Sequence, residues 1–192
     1  MLNKYKLIAC INNKNAIAKD GKPMFGIKAD VENFNSLTNG HVVIMGRNTF
    51  ENVLNKTPLK NRVNIIVTTD ENYTVPTGNW TKEELNNTFI VNSLTEADNL
   101  CYAFYSTKDL YIIGGGETYY QAYNLGMVDE AIITVVSDEA DGDMRLPDFS
   151  TDLTYKVIFK TTTLRDHPND IYYKYIIYKK NDDRRKKERD SV

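Results

Sequence analysis

The chain has 192 residues, 41% of them hydrophobic and 26% charged, with a formal net charge of -2. That length fits one domain with a sizeable core, and the composition excludes a disordered, collagen-like or coiled-coil chain. The near-neutral balance gives no general attraction to nucleic acid or anionic membranes, and no apolar run approaches the ~20 residues of a membrane span.

In chain order, the first apolar run is KLIACI (6–11), which reads as a buried strand. The start before it is too polar, and its apolar part too short, for a signal peptide. Ala29 to Thr38 is helix-like; HVVIMG (41–46) is a strand and Arg47 to Leu54 a helix. VNIIVTT (63–69) and TFIVNS (88–93) are strands, and Leu94 to Ser106 is a helix opened by Thr95-Glu96-Ala97-Asp98, an acidic first turn. DLYIIGG (109–115) is a strand and Glu117 to Leu125 a helix. Short β-branched runs bounded by turn residues, alternating with helices, predict an α/β architecture around a largely parallel sheet. The last third differs: Glu130 to Ser137, Tyr155 to Leu164 and Ile171 to Lys180 are strand-like with little helix between them. Arg165 to Asp170 joins the final two as a turn-rich hairpin loop, so the sheet is expected to be mixed, with an antiparallel edge. From Lys179 to Val192 the chain carries seven Lys or Arg against four Asp or Glu. One domain over residues 1–180 and a solvated charged tail over 181–192 follow.

Cys10 and Cys101 lie far apart among apolar neighbours, which predicts two buried free thiols and a reducing, cytoplasmic setting. His41 and His167 have no ligand-spaced partner, so no metal is expected.

Three constellations can carry chemistry. Ile112 to Tyr119 (IIGGGETY) puts three glycines at a strand-to-helix junction, which is either a phosphate cradle or a tight turn before a helix. Val43 to Phe50 (VIMGRNTF) again runs a strand through glycine into a helix, with Arg47 in the first turn. Arg47 opposes the helix dipole there, so it is either a phosphate fork or a surface residue paired with an acid. Two such junctions at strand ends suit a dinucleotide, which needs two places to hold phosphate. The third is Asp30 with Phe34, Leu37 and Thr38 on one helix face. A lone carboxylate on an apolar face can hold a flat, basic heterocycle through two hydrogen bonds, or simply favour a helix start.

Taken in order with LIACINNKNAIAKDG, PLKNRVNIIVTT and DGDMRLPDF, these motifs resemble the dihydrofolate reductase family from about Tyr5 to Tyr178. The resemblance implies a three-layer α/β fold: a mixed, mostly parallel eight-stranded sheet with four helices and an antiparallel C-terminal edge. It also implies NADPH-dependent reduction of 7,8-dihydrofolate to tetrahydrofolate, hydride passing to pterin C6 with protonation at N5, in support of one-carbon and thymidylate metabolism. By the same resemblance, Asp30 binds the pteridine N3 and 2-amino group and assists protonation, and Thr134 hydrogen-bonds that carboxylate. The backbone carbonyls of Ile8 and Ile113 face the pteridine edge, Phe34 and Val53 are pocket walls, and Arg62 grips the glutamate α-carboxylate as a bidentate partner. On the cofactor side, Cys10 and Ala18 offer backbone groups to the nicotinamide carboxamide, and Thr49 flanks the nicotinamide ribose. Gly46 with Arg47 and Asn48 matches phosphate contacts, and Thr68 and Thr69 match the strand end near the adenosine 2'-phosphate. Gly115, Gly116, Glu117, Thr118 and Tyr119 wrap the pyrophosphate and nicotinamide, and Asp143 supports the mobile loop over the site. A monomer with no nucleic-acid or membrane partner is the family default.

Four positions depart from the family pattern. Lys22-Pro23-Met24-Phe25 stands where Pro-Trp is usual, and Phe25 lacks the N–H that the Trp donates to an ordered water at the reacting end. Glu117 replaces a residue that is basic in some relatives, Ala18 replaces a customary glycine, and Met144 stands where Thr is common. Two other readings stand beside this one: a riboflavin-pathway reductase of the same fold, and a nucleotide-binding or assembly relative without turnover. Asp30 and Arg62 favour folate over the first, and turnover with dihydrofolate and NADPH distinguishes all three.

Overall fold

The computed structural model describes residues 4–75, 80–167 and 169–181. Its main sheet follows the predicted runs: β1 (Tyr5–Asn12), β4 (Val42–Gly46), β5 (Val63–Val67), β6 (Thr88–Val91), β7 (Leu110–Gly114), β8 (Val128–Val136), β10 (Tyr155–Lys160) and β12 (Ile171–Lys180). Their order is β10-β12-β8-β1-β7-β4-β5-β6. From β8 to β6 every neighbouring pair is parallel, while β12 and β10 add antiparallel. The sheet is therefore mixed with an antiparallel C-terminal edge, as the sequence predicts.

The central strands are largely apolar because both their faces are covered. Along β1, Tyr5, Leu7, Ala9 and Ile11 enter a core with Leu94, Ala97 and Cys101 of helix α3 (Leu94–Phe104) and Tyr119 and Ala122 of helix α4 (Gly116–Asn124). Ile8 faces the other way, with Val43, Met45 and Tyr111, against Phe34 and Leu37 of helix α1 (Lys28–Thr38). The period-2 alternation of β1 thus sends one residue set to each helical layer.

Five features differ from expectation. Arg47 to Leu54 is not an α-helix along its length but widens into a single π-turn, Thr49–Val53. Helix α2 (Lys82–Asn86) is not among the predicted elements, although Thr81 and Glu84 form a reciprocal capping box. The run Tyr155 to Leu164 is not one strand: it breaks after Lys160, and a separate β11 (Leu164–Asp166) pairs with β12. A small second sheet joins β2 (Ala16–Lys19), β3 (Lys22–Pro23) and β9 (Met144–Arg145). Cys101 is buried, but Cys10 is only partly so. Residues 182–192 of the charged tail, and Pro168 of the hairpin loop, lie outside the described residues. Among the described residues no helix is long and apolar enough to cross a membrane.

Candidate active site

The chain leaves β1 for β4 on one side and returns through β7 and α4 to β8 on the other, so the strand order reverses around β1. Crevices at such switch points, beyond the carboxyl ends of the strands, are where α/β sheets bind ligands. Pairing of β1 with β7 ends at Leu7–Ile112, and β7 then slips against β4, whose register jumps from Ile112 to Gly114. Ile8 and Ile113 therefore sit where two neighbouring strands part. Tyr119, buried on α4, reaches into that gap and donates its hydroxyl to the Ile8 carbonyl at 2.7 Å. That carbonyl keeps a second lone pair. Gly114 makes the approach possible: its φ is +111°, and a Cβ there would meet the Tyr119 hydroxyl at 3.1 Å and its ring at 3.2 Å.

Across the sheet, Cys10 of β1 pairs with Thr134 of β8, which pairs with Tyr175 of β12. This cross-strand row lies opposite the first turn of α1, where the Thr134 hydroxyl donates to Asp30 Oδ1. Burial raises the Asp30 carboxyl above the ordinary aspartate value, and the Thr134 hydrogen bond opposes that rise. Its neighbours stay protonated at neutral pH. Burial, then the Asp30 charge, pushes the Cys10 thiol up; burial does the same to Tyr119 and takes Tyr175 up to about 12. Asp30 is thus an acid set among neutral groups, with a hydroxyl fixing one oxygen and the other left to accept. Phe25 packs into the same cluster as Cys10, Ala29 and Tyr175, beside Ile27 and Val136. Tyr175 is a site residue the sequence does not single out, because the run IYYKYIIYKK offers four tyrosines and the register alone selects one.

Phe34 packs on the Ile8 side of the sheet, and Val53, on the π-turn, is exposed. Arg62 lies with its guanidinium 5.8 Å from the Phe34 ring. Its Nε donates to Thr38 Oγ1 (2.8 Å), Nη1 to the Lys60 carbonyl (2.7 Å) and Nη2 to Asn35 Oδ1 (2.8 Å). Buried Asn64 fixes this loop by bonding both the Leu59 N–H and its carbonyl. The expected bidentate grip needs correction here: Nη2 also donates to the Asn35 carbonyl (3.3 Å), so four of the five guanidinium N–H groups brace α1 and the loop, and a carboxylate that took two of them would displace a bond already made.

Past the ends of β4 and β7 the two glycine junctions converge. A Cβ on Gly46 would meet Thr118 Oγ1 at 2.7 Å, and one on Gly115 would meet Thr49 Oγ1 at 3.2 Å. Bare backbone, two hydroxyls and the N-terminus of α4 form one polar cradle, entered from Asn48 at the head of the π-turn. The Met144 thioether lies over Gly116, its sulfur 2.1 Å from where a Cβ would stand. Glu117 is exposed and accepts from Gln121 (3.2 Å), along its own helix. Arg47 forms an ion pair with Asp70 (2.9 Å) and lies 5.3 Å from the Tyr73 ring. Thr68 is buried and accepts from the Asp70 N–H; Thr69 is exposed.

The loop between β1 and α1 is tied down by the small sheet. The Ala18 carbonyl accepts from Asp143 N–H (3.1 Å), and Asp143 Oδ2 accepts from Asp20 N–H (2.6 Å). Met144 adds its backbone to the ladder opposite Ala18, so the tether is made without a threonine hydroxyl. Among the described residues no group of His, Cys, Asp or Glu could hold a metal.

A family model described as dihydrofolate reductase matches residues 4–180. The dihydrofolate reductase of Bacillus subtilis is 27% identical over 164 residues, covering 85% of this chain and 87% of its own length. That of Ureaplasma parvum is 31% identical over 145 residues, covering 72% and 79%. Dihydrofolate reductase type 3 of Salmonella typhimurium is 29% identical over 163 residues, covering 85% and 90%. A solved structure of dihydrofolate reductase from Enterococcus faecalis, complexed with NADP(H) and RAB-propyl, superposes with a TM-score of 0.75 over 93% of this chain and 97% of that one. At 22% identity, that likeness establishes the fold.

Proposed function

The chain belongs to the dihydrofolate reductase family, and from that premise we propose that Asp30, seated by Thr134 in the crevice beside Ile8 and Ile113, carries NADPH-dependent reduction of 7,8-dihydrofolate to tetrahydrofolate. The observation that carries the reading is the Thr134–Asp30 hydrogen bond at the point where β1 and β7 part. The place of such a reaction is one-carbon metabolism.

A pterin presents two N–H donors side by side, at N3 and the 2-amino group, and one carboxylate accepts both. Thr134 occupies one lone pair of Oδ1 and so fixes which way the carboxylate faces. Ile8 and Ile113 stand at the edge of the same gap, where their carbonyls would meet the pteridine edge, and Phe34 with Phe25 would supply apolar surface to the ring. Raised by burial, the Asp30 carboxyl can hold a proton closer to neutral pH than a free aspartate does, and in that form it assists protonation at N5. The reaction therefore slows as pH rises through the raised value. Arg62, at the open end beside Phe34, offers its remaining N–H to the glutamate carboxylate.

The donor set also fits NADPH. Gly46 and Gly115 leave bare backbone beside the Thr118 and Thr49 hydroxyls, where a Cβ would crowd those hydroxyls, and this cradle suits a pyrophosphate; Gly116 would join it once the Met144 thioether moved aside. Arg47, Asn48, Thr68 and Thr69 suit the 2'-phosphate side, and Cys10, Ala18 and Tyr119 the nicotinamide side. NADPH, when bound, supplies the hydride to pterin C6. The chain's own part is to align the two rings, exclude water beneath the loop of β2 and β3, and hold the acid in place.

The family match and the Asp30–Thr134 pair do not favour the riboflavin-pathway alternative. We further propose one catalytic domain over 1–180 that works as a cytoplasmic monomer, without nucleic-acid or membrane partners; a net charge of -2 and two free thiols accord with that. Steady-state oxidation of NADPH by the full chain with dihydrofolate tests the reading. Turnover with dihydrofolate but not with a ribityl-phosphate pyrimidine supports it; NADPH binding without turnover refutes it.

A further inference from the structure

We propose that Asp70 is a specificity-determining residue that narrows the preference for a 2'-phosphorylated dinucleotide over its unphosphorylated form. The inference rests on the reading of Arg47, Thr68 and Thr69 as the 2'-phosphate contacts. Asp70 stands three residues beyond β5 and is not free to turn away. Its Oδ1 accepts from the Asn72 N–H (3.1 Å) and its Oδ2 from Arg47 Nη1 (2.9 Å). The turn that holds it is closed by two more bonds, Tyr73 N–H to the Asp70 carbonyl (3.1 Å) and Asp70 N–H to Thr68 Oγ1 (3.2 Å). The Tyr73 ring then lies against the guanidinium, 5.3 Å from it. A fixed carboxylate therefore holds the one guanidinium on which a 2'-phosphate depends.

Three effects follow, all of one sign. A phosphate must share or displace Asp70 on Arg47, so part of the new charge-assisted bonding replaces bonding already present. The carboxylate stays within a few ångströms of the incoming dianion and repels it. A free ribose 2'-hydroxyl, by contrast, finds in Asp70 an acceptor for its proton. The pair is partly exposed, with side-chain exposures of 37% for Arg47 and 46% for Asp70, so water and salt screen the repulsion. A like-charge contact of about 6 Å in that setting changes affinity by roughly three- to tenfold.

The test is calorimetric titration of the full chain with NADPH and with NADH, for wild type, Asp70→Asn, Asp70→Ser and Arg47→Ala, at low and high salt. Both Asp70 variants keep a side-chain oxygen for the Asn72 N–H, and thermal melting checks that they fold. The expected result is NADPH affinity tightened roughly three- to tenfold, NADH affinity unchanged or weaker, and a gain that shrinks at high salt. If Arg47→Ala lowers the NADPH-to-NADH ratio while both Asp70 variants leave it unchanged, the phosphate reading stands and the role of Asp70 falls. If the Asp70 variants weaken NADPH, Asp70 holds Arg47 ready rather than competing for it, and the proposal is overturned. If Arg47→Ala leaves the ratio unchanged, the phosphate lies elsewhere, and both the reading and the proposal fall.

Discussion

Replacing Thr134 by Val removes one hydroxyl from the site and little else. The two side chains have the same shape, so no cavity opens, and the backbone pairing to Cys10 and Tyr175 is untouched. What is lost is the donor to Asp30 Oδ1. A hydrogen bond to a charged group is worth about 1.5–3 kcal/mol, or roughly a 10- to 150-fold change in the ionisation equilibrium of the carboxyl. Thr134 is only 3% exposed, which keeps water from replacing the hydroxyl itself, but Asp30 is partly open and water can reach its other oxygen. The lower end, about tenfold, is therefore expected. The sign follows from the two opposed causes. Burial raises the carboxyl and Thr134 lowers it, so without Thr134 the rise is unopposed and the proton is held to higher pH. Single-turnover hydride transfer measured across pH should show its fall displaced to higher pH in Thr134→Val. The variant should also be less stable than wild type above the Asp30 titration and closer to it below. A folded variant with the wild-type pH profile would mean that Thr134 does not govern the reacting carboxyl.

Three further outcomes are expected. Because the folded-state value of Asp30 is raised, its ionisation lowers stability as pH climbs from the ordinary aspartate value through the raised one. Asp30→Asn should therefore melt higher than wild type at neutral pH and match it in acid, as calorimetry across pH would show. Arg62→Leu should raise KM for dihydrofolate by roughly 10-fold or more and leave a tail-less pterin much less affected. It should also lower the melting temperature, because the bonds to Thr38 and Asn35 that brace α1 are lost with it. Gly114→Ala forces a side chain into a φ of +111° and against the Tyr119 ring. A loss of about 1–3 kcal/mol in denaturant unfolding is expected, with weakened ligand binding as the Tyr119–Ile8 bond is strained.

The sheet is legible in the sequence because its strands are buried on both faces. VVIMG, VNIIV and LYIIG need no partner to identify them, and glycine marks where two of them end. Asp30 is legible for the opposite reason, as one acid on an apolar helix face. Features that depend on register or on distant partners are not. Whether Tyr173 or Tyr175 meets the site is settled by which residue of β12 lies opposite Thr134. Arg47 reads as a phosphate fork in isolation, and only the turn after β5 brings Asp70 to it, 23 residues away in the chain. Arg62 is recognisable as an arginine in the right motif, yet its commitments to Thr38, Lys60 and Asn35 come from packing against α1. The break at Thr161 in YKVIFKTTTL is set by its neighbour: Thr161 bonds to Tyr175 through both its N–H and its hydroxyl before the chain pairs again at Leu164.

The central claim is that a single carboxyl, Asp30, carries the chemistry of this crevice. Single-turnover hydride transfer from NADPH to dihydrofolate, in wild type and in Asp30→Asn, with NADPH affinity measured on the same samples, tests it most directly. The account predicts a fall of about 10²-fold or more in the rate near neutral pH, with NADPH affinity held within a few-fold. An Asp30→Asn protein that binds NADPH and transfers hydride as fast as wild type would contradict it.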